Sequence, residues 1–397
     1  MKKVLAMFLV ISMFALMLAG CQKKASDGNS EGSTPAQTKE TTENASIADS
    51  GNGEGAATHF GIKPLDKKTT INLAYLPGGG YAEVFYVMDQ KGWADELNID
   101  LSYQSFSAGP ALMEANASWD MGALGAPGAI AGLLTYDVKT VGIVCYDSIQ
   151  RLYLREDSPI IKAGKGYLAD YPEVYGTPET WAGTTWLLPV GTVMQKLLLD
   201  TLALFGLTAD DVTIINMDCA SALAAFKAGE GDGCGLWSAI ALDAEDDGYL
   251  AASDINWLHT NGTTVMVVSD HALEEKKEAL ATVYELYYKT LDWCEENMDE
   301  FTSYLLESCE VEGIACSEET AKVTCEALSV LPSDEFWAEM VKTYDDKVSG
   351  QSVNGIEKPL LETFDFFVSI GTYTAEQRQQ LLSDHKIITE FAQMFAN

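Results

Sequence analysis

The chain has 397 residues, 47% of them hydrophobic and 21% charged, enough to fill two domains or lobes once its polar segments are set aside. Its formal net charge of −34 opposes the counterion release that nucleic-acid binding requires, so neither nucleic acid nor an anionic surface is expected as a partner. Its eight cysteines form no CxxC pair and none of the tight spacings of zinc sites, and no metal or other cofactor is expected.

Lys2 and Lys3 precede a stretch, 4–19, that is apolar except for Ser12. It is shorter than the roughly 20 residues a spanning helix needs and reads as a signal peptide. The stretch closes on Leu18, Ala19, Gly20 and Cys21, which resembles the lipobox of bacterial lipoproteins. Removal of residues 1–20 is therefore expected, with lipid such as palmitate on Cys21 anchoring the protein to the outer face of the cell membrane. Two or more acyl chains give stable anchoring at about 0.8 kcal/mol per buried methylene. An ordinary signal peptide that happens to contain a cysteine is the alternative. Residues 21–68, rich in Ser, Thr, Gly, Asn, Glu and Lys, read as a disordered tether with a root-mean-square span of roughly 35 to 40 Å.

From Thr70 onward, short apolar strands alternate with helical stretches. Strands are expected at 71–76, 98–103, 121–124 and 141–146, and helices at 81–93, 108–117 and 129–135. A second copy places strands at 185–188, 212–217 and 233–237 and helices at 192–205 and 220–228. The registers agree, because Pro77 and Asp120 are 43 residues apart, as are Pro189 and Asp232. A strand at 264–268 and a long helix over 272–297 follow, with further helices to the carboxyl end. The fold class expected is α/β: two βαβ-repeat lobes with parallel-type sheets joined by two crossing hinge strands, the last helices packing on lobe one. Lobe one would comprise 69–152 and 265–397, and lobe two 153–264. The seven cysteines after Cys21 leave two possibilities open: a bridge from Cys309 to Cys316 or Cys325, or buried free thiols.

Several segments resemble the solute-binding lipoproteins of ABC transporters, of the nitrate, sulfonate, taurine and thiamine-precursor type. They are Phe106 to Pro110, Trp119 to Ala123, Leu152 to Ser158 (LYLREDS), and above all GLTADDV from Gly206 and AAFKAG ending at Gly229. The resemblance implies the periplasmic-binding-protein type II fold. It implies a small solute clamped between lobes by a monomeric protein and delivered to a membrane permease and its ATPase. Ser238 departs from the family, which often has a proline soon after the tryptophan matched by Trp237, and so does Gly78 to Gly80 after the first strand. The same fold resembles a pyrimidine-precursor synthase that consumes its own histidine, but His59, His259, His271 and His385 lie at no expected strand end. A sensor that presents its ligand to a receptor is a further alternative.

Ligands in open parallel sheets sit at the carboxyl ends of strands, beside helix amino termini. The candidates are Gly78, Gly79, Gly80 and Tyr81 after the first strand, where the alternative is a flexible turn. Ser107, Ala108 and Gly109 open the next helix and are equally readable as a plain N-cap, although the resemblance implies ligand contacts at this turn. Gly125, Ala126 and Pro127 follow the third strand. In lobe two, Gly191 and Thr192 open a helix that Thr192 could simply cap. Trp237 stands at a strand end as cleft wall or core. Arg151 reads better as a solvated arginine than as an anion ligand, and Asp218 would favour a ligand with a donor group or positive charge. The sign of the ligand's charge stays open.

Overall fold

The computed structural model describes residues 58–396 except 148 and 261. The leader, Cys21 and most of the tether lie outside the described residues. Residues 58–68, which composition assigns to the tether, already lie against the fold. Ile62 and Leu65 are buried, the Leu65 N–H donates to the Leu97 carbonyl at 3.1 Å, and Phe60 meets Trp93 edge-on at 4.8 Å.

The chain enters lobe one through β1 (Thr69–Tyr75), α1 (Glu83–Gln90), α2 (Trp93–Glu96), β2 (Ile99–Ser105), α3 (Gly109–Glu114), β3 (Met121–Gly125), α4 (Ala126–Leu133) and β4 (Val138–Asp147). Lobe two holds β5 (Gln150–Leu154), α5 (Pro159–Ala163), α6 (Pro178–Trp181), β6 (Thr185–Leu188), α7 (Val193–Leu204), β7 (Thr213–Asn216), α8 (Cys219–Lys227), β8 (Gly233–Trp237), α9 (Ser238–Asp246) and β9 (Leu250–Asp254). The chain returns by β10 (Gly262–Ser269) and continues through α10 (Asp270–Glu275), α11 (Lys277–Glu296), α12 (Met298–Glu312) and α13 (Glu318–Glu326). It ends with β11 (Leu328–Ser329), α14 (Ser333–Val341), the hairpin β12 (Thr343–Asp345) and β13 (Ser352–Asn354), then α15 (Glu357–Ser369), α16 (Ala375–Ser383) and α17 (Glu390–Phe395).

The two sheets repeat one topology. Lobe one runs β11-β4-β10-β3-β1-β2 and lobe two β7-β6-β8-β5-β9. β1 pairs parallel with β2 and β3, as β6 does with β7 and β8. In each lobe the strand that arrives from the other lobe is the reversed one: β10 is antiparallel to β3 and β4, and β5 to β8 and β9. The sheets are therefore mixed, and the reversal follows from geometry, because a strand entering from the far side of the hinge points backward. The crossings fall between Asp147 and Gln150 and between Asp254 and Gly262.

The repeat has a visible cause at the residue level. Asp120, just before β3, accepts the backbone N–H of Asn72 at 2.8 Å, and Asp232, just before β8, accepts that of Thr185 at the same distance. In both lobes a carboxylate just before the third strand thus satisfies an N–H of the first, in mid-strand at Asn72 and at the strand's start at Thr185, which would otherwise be left unpaired.

One large core fills lobe one, whereas the lobe-two sheet separates two smaller clusters, one around Trp181 and Trp186 and one around Tyr153 and Phe226. The expected helix over 272–297 breaks at Lys276, whose ammonium reaches Asp120 at 2.8 Å and the Thr70 carbonyl at 3.1 Å. Among the described residues, no helix is long and apolar enough to cross a membrane. All seven described cysteines are free thiols, six of them buried.

Candidate functional site

Between the lobes lies a cleft of about 450 Å³, counting all the space between its walls. Lobe one contributes Leu76, Tyr81, Gly109, Gly125 and Gly128, lobe two Thr192, Val193, Trp237 and Ser238, and the two crossing strands Gln150 and Thr264. Four helices begin here, two from each lobe. Gly109 and Ser238 are the first residues of α3 and α9, Gly125 directly precedes α4, and Thr192 directly precedes α7. The positive ends of helix dipoles therefore converge from both sides, with the Ser238 and Ala239 N–H groups already donated to the Ile149 and Gly78 carbonyls and the Met194 N–H to Thr192. None of the eleven lining residues carries a charge.

The lobes are close. A Cβ on Gly125 would stand 3.4 Å from Val193, one on Gly191 would stand 3.6 Å from Pro110, and the Ala239 N–H points at the Gly78 carbonyl at 3.4 Å. α3 and α4 also approach tightly, since a Cβ on Gly128 would lie 3.2 Å from the Gly109 Cα. Only glycines permit that spacing, and it brings both helix starts to one cleft wall.

The three-glycine turn is held by a buried carboxylate. Gly78 and Gly80 both adopt positive φ, and their N–H groups donate to Glu83 Oε1 and Oε2 at 2.8 and 2.7 Å, with the Ser308 hydroxyl on Oε1 at 3.3 Å. Burial raises the Glu83 pKa against the pull of these donors. The Tyr81 ring lies over Gly79, where a Cβ would come within 2.7 Å of it, and Tyr287 donates to the Tyr81 carbonyl at 2.9 Å.

Tyr81, Gly109, Thr192 and Trp237 thus line the cleft, and Gly79 and Gly80 form the turn behind Tyr81. Thr192 also caps α7, accepting from the Met194 N–H at 3.2 Å and donating to the Pro189 carbonyl at 2.6 Å. Ala126 and Pro127 line a neighbouring cavity of about 290 Å³ that shares Gln150 and Val193 with the cleft and holds the Lys196–Asp200 ion pair at 2.5 Å. Ala126 and Pro127 belong to α4 itself, which starts earlier than the helix expected at 129–135 because Gly125 stands at its N-cap. Ser107 and Ala108 precede α3 and line neither cavity, and Gly191 abuts Pro110 at the rim.

Asp218 caps α8 and lines neither cavity. Burial would raise its pKa, but the N–H and hydroxyl of Ser221, at 2.9 and 2.8 Å, outweigh that and lower it. Arg151 is neither solvated nor in the cleft, for its guanidinium bonds Asp254 at 2.6 Å and Glu245 at 2.7 Å. None of the four histidines lines the cleft; His59 stacks on Trp93 at 4.6 Å and His271 faces Asp120.

Three polar lining residues, Gln150, Ser238 and Thr264, are not among the candidates the sequence offers. Gln150 is 2% exposed, and its Oε1 is buried without a hydrogen-bond partner. A buried, unpaired carbonyl is costly, which is characteristic of a ligand-facing group. Ser238 is a buried non-glycine residue at φ 51°, a strained conformation of the kind that clusters at binding sites. Its only sequence signal was the departure after Trp237. Gln150 gave none, because it was expected ahead of the crossing.

No protein-family model matches the chain. Over 227 residues it is 25% identical to a Brachyspira hyodysenteriae protein described as an ABC transporter periplasmic binding protein, covering 56% of this chain. The chain spans about 65% of that relative's length. Among solved structures, the alkanesulfonate-binding protein SsuA of Xanthomonas axonopodis pv. citri, bound to MOPS, superposes with a TM-score of 0.61 at 18% identity, covering 82% of this chain and 100% of that one. The Escherichia coli aliphatic sulphonate-binding SsuA gives a TM-score of 0.57 at 17% identity, covering 80% and 98%.

Two lobes, two crossings and a cleft walled by helix starts define the periplasmic-binding-protein fold, and this chain has it. Proteins described as sulfonate-binding are among the solved structures that share this fold.

Proposed function

We propose that the protein captures a small organic anion, of the sulfonate type, by closing its lobes, and hands it to the permease of an ABC importer. The observation that carries this reading is the convergence of four helix starts on a cleft without a charged side chain. Backbone N–H groups and helix dipoles favour negative charge without themselves titrating. A carboxylate or ammonium in the wall would impose one sign through a side chain, and there is none. Thr264, Ser238 and the Gln150 amide supply further hydrogen-bonding groups, while Leu76, Tyr81 and Trp237 offer apolar surface to the organic part. Closure follows because the solute contacts both lobes only when they meet, so its binding free energy shifts the hinge equilibrium.

The chain's likeness to sulfonate-binding structures supports the ligand class, and the likeness to an ABC transporter binding protein supports the partner. Lipid on Cys21 would hold such a carrier beside its permease and raise the effective concentration there. Thermal-shift measurements with small alkanesulfonates, taurine, nitrate and MOPS test the proposal. A true ligand at one hundred times its Kd stabilises by about 2.7 kcal/mol. No shift with any anion, from protein shown to be folded, would overturn the reading.

A further inference from the structure

We propose that lobe one carries a second binding site, separate from the cleft, that takes a small alkylated ammonium cation in a corner of tyrosine rings. The site is a cavity of about 680 Å³ beside β1, α1, β2 and α12, larger than the cleft and sharing no lining residue with it. Tyr75, Tyr86 and Tyr103 line it together with the carboxylates of Asp89 and Glu312.

The rings are arranged as walls. Tyr75 and Tyr103 meet edge to face, their centroids 6.0 Å apart and their planes at 89°, so two perpendicular ring surfaces form a corner. Tyr86 adds a third ring, itself supported by Tyr304 at 6.2 Å. Both hydroxyls at the corner are tied down, Tyr75 donating to Glu312 and Tyr103 to the Phe85 carbonyl at 3.0 Å. The rings are therefore preorganised, which lowers the ordering cost of binding.

The electrostatics select the occupant. Aromatic faces carry negative quadrupole density, and a cation over them gains about 0.5–1 kcal/mol when exposed and about 2 when desolvated. The two carboxylates add attraction of the same sign. No basic residue lines the cavity, and Lys91, two residues after Asp89, is turned onto Glu300 at 2.6 Å and the Trp293 ring at 4.4 Å. A bare metal ion does not fit, because among the described residues no three His, Cys, Asp or Glu side chains come together to hold one. A phosphorylated cation such as phosphocholine does not fit either, since its phosphate would lie against Asp89 and Glu312. What remains is a large, weakly hydrated cation without an adjacent anionic group.

Isothermal titration of the full chain with tetramethylammonium and with choline, against sodium chloride at equal ionic strength, tests the site. Saturable one-to-one binding is expected, unchanged by saturating the cleft with an anion, and phosphocholine should bind more weakly than choline. Tyr86→Ala, at a partly exposed position, should weaken binding about fivefold or more while Tyr86→Phe retains it, and Asp89→Asn should weaken it too. Far-UV circular dichroism and undiminished cleft binding would show that these variants are folded. Absence of binding above the sodium control, or equal affinity in Tyr86→Ala and Asp89→Asn, would overturn the proposal and leave the cleft reading untouched.

Discussion

At the residue scale, Gln150 separates binding from stability. Its Oε1 lies unpaired between two cavities, so the resting protein bears a desolvation cost that a donor on the solute would relieve. Gln150→Leu should therefore leave the melting temperature of the free protein unchanged or higher. Affinity for a solute that carries a donor, such as taurine, should fall about tenfold, for a lost hydrogen bond of roughly 1–1.5 kcal/mol, while that for a plain alkanesulfonate should not. Calorimetry on free and loaded protein distinguishes the two effects, and a melting temperature that falls with affinity intact would refute the assignment. Ser238 poses the same test in backbone form: at φ 51°, Ser238→Gly should relieve strain of about 1 kcal/mol, yet remove a hydroxyl from the cleft wall.

At the element scale, two carboxylates, one buried and one half-buried, respond to pH in opposite directions. Glu83 holds the glycine turn, and burial raises its pKa above the ordinary 4.5. The folded state thus binds this proton more tightly than the unfolded one. Its contribution is complete below pH 4.5 and is lost as pH rises through the folded pKa. Glu83→Gln leaves one of the two N–H donors facing an amide NH₂, at a cost of about 1–3 kcal/mol, and should flatten that part of the stability–pH profile.

Asp346 behaves conversely. Its hydrogen bonds from Arg378, at 2.8 and 3.0 Å, hold its pKa well below the ordinary 3.8, so its contribution is present above that value and lost as pH falls. Arg378 also bonds Asp365 and so ties the turn between β12 and β13 to α15 and α16. Arg378→Met should leave two carboxylates uncompensated and cost about 3 kcal/mol, read as a lowered denaturation midpoint.

At the scale of the whole molecule, the segment after β10 does more than cover lobe one. Ile314, between α12 and α13, and Ala239 in lobe two both lie within 4 Å of where a Cβ on Gly78 of lobe one would stand. Lys196 of α7 sets its ammonium 4.6 Å from the ring centre of Phe366 in α15, and Phe366 packs on the lobe-two core. These contacts hold the lobes together outside the cleft. Phe366→Ala should populate a more open form, seen as a larger radius of gyration in solution scattering without solute. Apparent affinity should weaken in proportion to the lost closed fraction. An unchanged radius and affinity would show that closure depends on the cleft alone.

Alternating apolar strands and helical stretches, and the 43-residue spacing of Pro77–Asp120 and Pro189–Asp232, already determined two α/β lobes of one design. That much was local, because strand periodicity and the carboxylate heading each third strand are properties of short segments. The same holds for Tyr81, Gly109, Thr192 and Trp237, which stand where strand ends and helix starts can be read directly. Gln150 and Thr264 could not be read so. They reach the cleft because the strands that change lobes run antiparallel to their neighbours, a matter of pairing Gln150 with Trp237 and Thr264 with Cys145, residues 87 and 119 apart in the chain. Nor does sequence show whether a charged residue is free: Arg151 and Asp218 carry the right chemistry for a ligand, and only the tertiary structure gives that chemistry to Asp254, Glu245 and the start of α8.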